Sequence, residues 1–372
     1  MEGTVGSELY FLNCIGSAML PYLSILLASF SLSCTDGTKW QKLFILPFFT
    51  FLIVFVAFRV GGTGPKDYDA YLRLYNKLST YENVIDPTVH AEIGFRYVSF
   101  LGNYIGFDEQ FIIVAMAILS ILPVAYIIYT RSHYKFLSIV IWMPYLLTMN
   151  MHSSRISVAA AFCFLTIIFL AKGRNYFALI TSLVAISFHS SALALLALVF
   201  TRFDLGKLCI ACFISFLLAT FINPFGILAS FLSILGAEHL SWMINSYISS
   251  SDYGYPMPVY DPRIVLNFGV VLLIFNIRRS IVDDLMVFLL KVNVIGVTLM
   301  LAFSSVTIIS WRVSYLFLIV TVLTIPAVSY YYNVRFYSSF GIKRIMSIAF
   351  SFLFFLYVLS LIFISLPYKF YF

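Results

Sequence analysis

A chain of 372 residues that is 62% hydrophobic and only 10% charged cannot clothe a water-soluble fold, since soluble domains carry about 25% charged residues. Its net charge of +7 does not point to nucleic acid either, because the basic residues gather in short turns between apolar runs, as the positive-inside rule produces. Apolar runs long enough to cross a bilayer recur along its length, so the sequence predicts an all-α, polytopic integral membrane protein: one domain over residues 1–372, with about 11–12 transmembrane helices.

In chain order, the N-terminus carries Glu2 and Glu8 where a cleaved signal peptide would carry basic residues. The first span is predicted from Leu9 to Leu32 and the second from Leu43 to Val60, with Lys39 and Lys42 between them. Later basic turns hold Arg131 and Lys135, Lys172 and Arg174, Arg278 and Arg279, then Arg335, Lys343 and Arg344. If these turns face the cytoplasm, the N-terminus lies outside and two larger loops share the outer face. One is 61–106, with a re-entrant or interfacial helix; the other is 236–262, with Glu238, His239, Trp242, Asp252 and Asp261. Cys14, Cys34, Cys163, Cys209 and Cys212 show neither metal nor disulfide spacing and read as buried free thiols.

The stretch from Asn175 to Phe200 allows two threadings. It is one long span with His189 at mid-depth, or two short helices turning at Phe188-His189-Ser190 near the outer face. The charge rule favours the second, which keeps Arg202 and Lys207 inside.

Several polar groups stand where a bilayer resists them. Arg155 opens an apolar run, and an arginine at mid-bilayer costs about 2.5–3.5 kcal/mol on insertion scales. It either snorkels to the headgroups or serves a site; Ala159, Ala160 and Ala161 favour an interior helix. His189, Ser190 and Ser191 either bond within their own helix or face a cavity, and Arg312 beside Trp311 and Tyr315 is either an interfacial anchor or a third site residue. Asp67, Tyr68, Asp69, Tyr71 and Tyr75 interleave carboxylates with rings, as a sugar-binding surface or an interfacial aromatic belt would, and Glu92 adds a carboxylate nearby.

The order of these motifs resembles the EpsG-like (Wzy) family of exopolysaccharide and O-antigen polymerases. The likeness rests on Arg59 with Gly64, Asp67 and Tyr71; on Glu92-Ile-Gly-Phe95; on Arg155 with Ala159; on Phe188-His189-Ser190-Ser191-Ala192-Leu193; and on Arg312 with Tyr315, Phe317 and Pro326. Ile156 departs from it, standing where the family often has glutamine, and the second outer loop carries no matching motif.

The resemblance implies a GT-C-like bundle and a metal-independent glycosyltransferase that needs no cofactor, at the outer face of the bacterial inner membrane. Its partners would be polyprenyl-diphosphate-linked (undecaprenyl) oligosaccharides as donor and acceptor, membrane lipid and a chain-length regulator. Arg155, Arg312 and Arg59 would meet the diphosphate. His189 would act as general base or diphosphate ligand, with Asp67, Asp69 and Glu92 as rival catalytic groups, and Tyr68, Tyr71 and Tyr75 would contact glycan. A lipid-linked oligosaccharide flippase would instead show internal repeats, which the sequence lacks. A glycan ligase would use nearly the same site, and a membrane acyltransferase has only the intramembrane histidine in its favour.

Overall fold

Apolar backbone in lipid must satisfy its own N–H and C=O groups, and runs rich in Leu, Ile, Phe and Val do so here as helices. The computed structural model describes residues 19–64, 67–219, 221, 224–249, 254–337 and 344–371. The predicted start of the first span at Leu9, together with Cys14, Asp252, Lys343 and the His239 side chain, lies outside the described residues.

The chain begins with α1 (Met19–Ser33) and α2 (Trp40–Ala57), followed by the short strand β1 (Arg59–Val60). The loop expected to hold one interfacial helix contains three: α3 (Asp67–Lys77), α4 (Tyr81–Ile85) and α5 (Ile93–Ile105). Next come α6 (Gln110–Arg131), α7 (Lys135–Tyr145) prolonged by a π-helical turn (Leu146–Asn150), α8 (Ser154–Ala171) and α9 (Asn175–Phe188). A 3-10 helix (Ser190–Arg202) leads to α10 (Leu205–Leu218), and α11 (Pro224–Ile234) and α12 (Glu238–Ile248) form a helical hairpin. The last elements are α13 (Pro262–Ile277), α14 (Asp284–Ala302), α15 (Thr307–Leu318), α16 (Thr321–Tyr332), α17 (Ile345–Ile364) and β2 (Lys369–Phe370).

Two ends of the bundle are fixed by contacts distant in sequence. At one end β1 pairs antiparallel with β2, Arg59 opposite Phe370. Beside it Tyr22 donates to the Leu366 carbonyl at 3.2 Å. At the other end Asp36 accepts the Phe136 and Leu137 N–H groups at 2.9 and 2.8 Å, closing the start of α7, and Arg344 donates to the Cys34 carbonyl. Between these ends the described residues make twelve passes: α1, α2, α6, α7 with its π turn, α8, α9, the 3-10 helix, α10, α13, α14, α15 with α16, and α17. Among the described residues five helices are long and apolar enough to cross a membrane alone, or six spans when α15 and α16, bent by 58° at their break, are taken as one. The other passes are shorter apolar helices. Lys39, Lys135, Lys172, Arg174, Arg202, Arg278 and Arg344 all fall at the Asp36 end, hereafter the basic end.

The centre belongs to α8, whose Ala159, Ala160 and Ala161 are buried and let neighbouring helices close in. The predicted turn at His189 is present. α9 is 14 residues long and rises about 21 Å, while the 13 residues of the 3-10 helix rise about 26 Å back to the basic end. Three residues per turn put Leu193, Leu196 and Val199 on one stripe, and all three are exposed while Ala192 and Leu198 are buried.

Candidate active site at the β-ribbon end

The loop after β1 fits its surroundings because it is glycine-rich. Gly61 has φ +82°, a left-handed conformation that glycine adopts without strain. A Cβ on Gly62 would sit 2.6 Å from the Met151 carbonyl oxygen, and one on Gly64 would sit 2.6 Å from His152 Cε1. The loop thus lies flat against the turn that opens α8. The Thr63 hydroxyl donates to the Leu147 carbonyl in the π turn at 2.6 Å, and the Thr63 N–H donates to Met151 O. This seats Asp67, in the first turn of α3, beside the upstream His-Ser-Ser. Ser153 Oγ donates to Asp67 Oδ2 at 3.1 Å, and His152 Nε2 stands 3.8 Å from the same oxygen.

Glycine acts again in Glu92-Ile-Gly-Phe. A Cβ on Gly94 would lie 2.7 Å from Ser187 Oγ and 2.9 Å from the Ser187 carbonyl oxygen, so α5 rests directly on the last turn of α9. Glu92 precedes α5 with extended backbone and makes no cap through its side chain. Its carboxylate turns instead to Arg155 Nη1 at 2.5 Å. The Arg155 guanidinium lies 5.8 Å from the ring centres of Tyr71 and Phe95, which form its apolar wall.

His189 occupies the turn between α9 and the 3-10 helix. Its Nδ1 accepts the Ser191 N–H at 3.2 Å, and Glu92, Arg155 and Arg312 all lie within electrostatic reach. Arg312 also acts on His152, so the two His-Ser-Ser copies converge on one arginine. Among the described residues no carboxylate lies within 4.0 Å of Arg312. His152, in the loop before α8, has its pKa lowered by burial; Asp67 opposes the shift, while Arg59 and Arg312 add to it.

Five further residues singled out by the sequence lie outside this cluster or in its wall. Arg59 is 2% exposed, enclosed by its neighbours. Its Nη1 closes the end of α2 on the Val56 carbonyl, and its Nη2 donates to Ser154 Oγ, which fixes the start of α8 next to Arg155. Tyr68 and Tyr75 are buried and bonded to Gln110 Oε1 and the Phe107 carbonyl, so neither offers a ring face to sugar. Tyr71 is also buried, against Arg155. Asp69 is exposed and takes no part in these contacts.

Two residues were missed. His152 carries no match to the family pattern, yet its imidazole is the one beside Asp67; the repeated His-Ser-Ser was the available signal. Arg96 donates to the carbonyls of Val84, Asp86, Val89 and Ala91, gathering the segment before Glu92 around one guanidinium. Nothing in the sequence marks it, because its partners are all main chain.

No curated protein and no solved structure matches the chain. A family model described as the EpsG family matches residues 42–371, a span that takes in every residue of the site. That family comprises membrane proteins of polysaccharide biosynthesis. The chain belongs to the EpsG family.

Proposed function

We propose that the protein is a repeat-unit polymerase, which moves a growing glycan from polyprenyl diphosphate onto the sugar hydroxyl of a single lipid-linked repeat unit. The observation that carries this reading is the gathering of Arg155, Glu92, His189 and Arg312 around the turn that ends α9, close to an apolar cavity. The cavity, about 310 Å³, runs between α8, α9 and the 3-10 helix from Asn175 to Ile186 and Ala192, beside the His189 turn. Its walls suit an isoprenyl chain, and the cations gathered around the nearby turn suit the diphosphate. The positive-inside rule sets the basic end in the cytoplasm, which turns the site to the outer face of the bacterial inner membrane.

In this reaction the acceptor hydroxyl attacks the anomeric carbon as the bond from that carbon to the diphosphate oxygen breaks. The electron pair leaves with polyprenyl diphosphate, and the hydroxyl proton must go to a base. Arg155 and Arg312 stabilise the charge that develops on the leaving group, more strongly here than in water. In the structure Arg155 is paired with Glu92. A diphosphate that takes over the guanidinium frees the carboxylate beside the reacting centre, so Glu92 receives the proton. His189 has a different part. Its Nδ1 already accepts the Ser191 N–H, so in the neutral ring the proton resides on Nε2, which donates to a phosphate oxygen. Asp67, with Ser153 and His152, lies on the loop side of the centre and binds acceptor hydroxyls.

The test is the banding of surface glycan in a deletion strain carrying Arg155→Ala or His189→Ala. Single-unit product without a ladder supports the polymerase. Full ladders from stably expressed variants remove these residues from the mechanism, and loss of all translocated glycan indicates a flippase.

A further inference from the structure

The basic end holds a second cavity that the proposed reaction does not use. It measures about 540 Å³ and lies between the start of α10, the turn after α13 and the start of α14. Lys207, Arg278, Arg279 and Lys291 line it, with Asp204 as the one carboxylate on its wall. Among the described residues none of these four cations lies within 4.0 Å of a carboxylate, Asp204 included. Asp204 is occupied otherwise, accepting the Gly206 N–H at 2.7 Å.

Lys291 is the most informative of the four. It sits seven residues into a membrane-crossing helix, about 10 Å from its start, and satisfies one proton on the Thr201 carbonyl at 2.9 Å. A lysine at that depth is costly and marks a site. Arg278 is stacked 3.8 Å above the Phe275 ring and donates to the Phe275 carbonyl, which holds its guanidinium in place. Lys207 and Arg279 are exposed.

Lys207 also lines an apolar cavity of about 380 Å³, walled by Phe200, Phe203, Leu208, Ile295 and Leu299. A cationic chamber thus shares a wall residue with a greasy trough that extends along α10 and α14. A free inorganic anion would use the chamber and leave the trough empty. An anionic phospholipid uses both, its phosphate among the cations and an acyl chain along the trough.

We infer that the protein binds an anionic phospholipid at its basic end, with the headgroup held by Lys207, Arg278, Arg279 and Lys291. The inference is independent of the polymerase reading, because it concerns the opposite end of the bundle.

Native mass spectrometry of the full chain in detergent tests it, with phosphatidylglycerol and phosphatidylcholine added at equal concentration. The expected result is one retained phosphatidylglycerol, preferred over phosphatidylcholine by about tenfold or more, with Lys207→Gln and Arg279→Gln each lowering its occupancy about fivefold. Both positions are exposed, so neither change threatens folding, and a thermal scan without lipid checks this. Arg202→Gln removes a nearby exposed cation that does not line the chamber, and should leave the occupancy unchanged. Equal retention of the two lipids, an equal effect of Arg202→Gln, or displacement of the lipid by millimolar inorganic phosphate would each overturn the assignment.

Discussion

Glu92 and Arg155 are 63 residues apart in the chain and 2.5 Å apart in space. The carboxylate stands just before α5, outside the spans, and the guanidinium belongs to the first turn of α8. If the pair were only a clasp, exchanging the partners would preserve it. The proposed mechanism gives a different expectation, because the cation must face the diphosphate from α8 and the base must stand at the entry to α5. Glu92→Arg with Arg155→Glu should therefore restore expression and thermal stability but leave polymerisation at least about 100-fold down, a loss of roughly 3 kcal/mol of transition-state stabilisation. Recovery of the glycan ladder by the swapped protein would reduce the pair to architecture.

The bond from Ser191 N–H to His189 Nδ1 separates the two roles open to this histidine. Glutamine can place an amide N–H near the position of Nε2 but cannot take up a proton. With His189 as a donor to phosphate, His189→Gln should retain about a tenth of the rate that His189→Ala loses, on the scale of one charge-assisted hydrogen bond. With His189 as general base, the two variants would be equally inactive in a purified assay.

His152 links stability to pH. Burial lowers its pKa below the ordinary value, so the unfolded chain binds its proton more readily than the folded one. The stability this provides is complete above about pH 6.5 and is lost as pH falls from there through the folded pKa. Wild-type protein should lose more in melting temperature between pH 7 and pH 5 than His152→Gln does. His133, also lowered by burial, titrates in both proteins and cancels in the comparison. Parallel pH profiles would show that the imidazole is not held neutral.

Gly94 predicts a positional defect. A methyl group there meets Ser187 Oγ and the Ser187 carbonyl oxygen, so Gly94→Ala must lift α5 from the end of α9 and draw Glu92 away from Arg155. The expected cost is about 1–3 kcal/mol of stability together with weakened polymerisation. Adding Ser187→Ala should recover only part of both, since the backbone oxygen remains. Full recovery by the double variant would locate the conflict in the hydroxyl alone.

Arg96 predicts a local one. Replacing it with methionine leaves four carbonyls of the segment before α5 without their donor, a loss of roughly 3 kcal/mol. Limited proteolysis should then cut between Ile85 and Ala91 faster than in wild type, while the melting of the bundle changes little.

Much of this was legible in the sequence, for identifiable reasons. Apolar length and basic turns gave the passes and the break at His189, because bilayer thickness and charge bias act locally. Arg155, His189, Arg312 and Glu92 stood out as polar groups in or beside apolar runs. The tyrosines of α3 are buried. Tyr68, Tyr71 and Tyr75 fall at i, i+3 and i+7, the stripe of a buried helix face, and that spacing outweighs their aromatic character. The enclosure of Arg59 depends on chain far away, since Tyr368 donates to the Phe55 carbonyl across 313 residues and β2 closes over β1. No local pattern records such a contact. The pairing of His152 with Asp67 is equally remote, 86 residues separating Ser153 from its acceptor.

The depth of His189 is tied to the winding of the 3-10 helix. Runs of this geometry rarely exceed three or four residues, and this one continues for 13 between the turn and the basic end. Each residue that relaxed into α geometry would shorten the pass by about 0.5 Å, so one four-residue turn would draw the imidazole inward by about 2 Å. The loops at either end would keep their lengths. The helix acts as a tether whose length depends on its winding, joining the imidazole to the Arg202 end of the bundle.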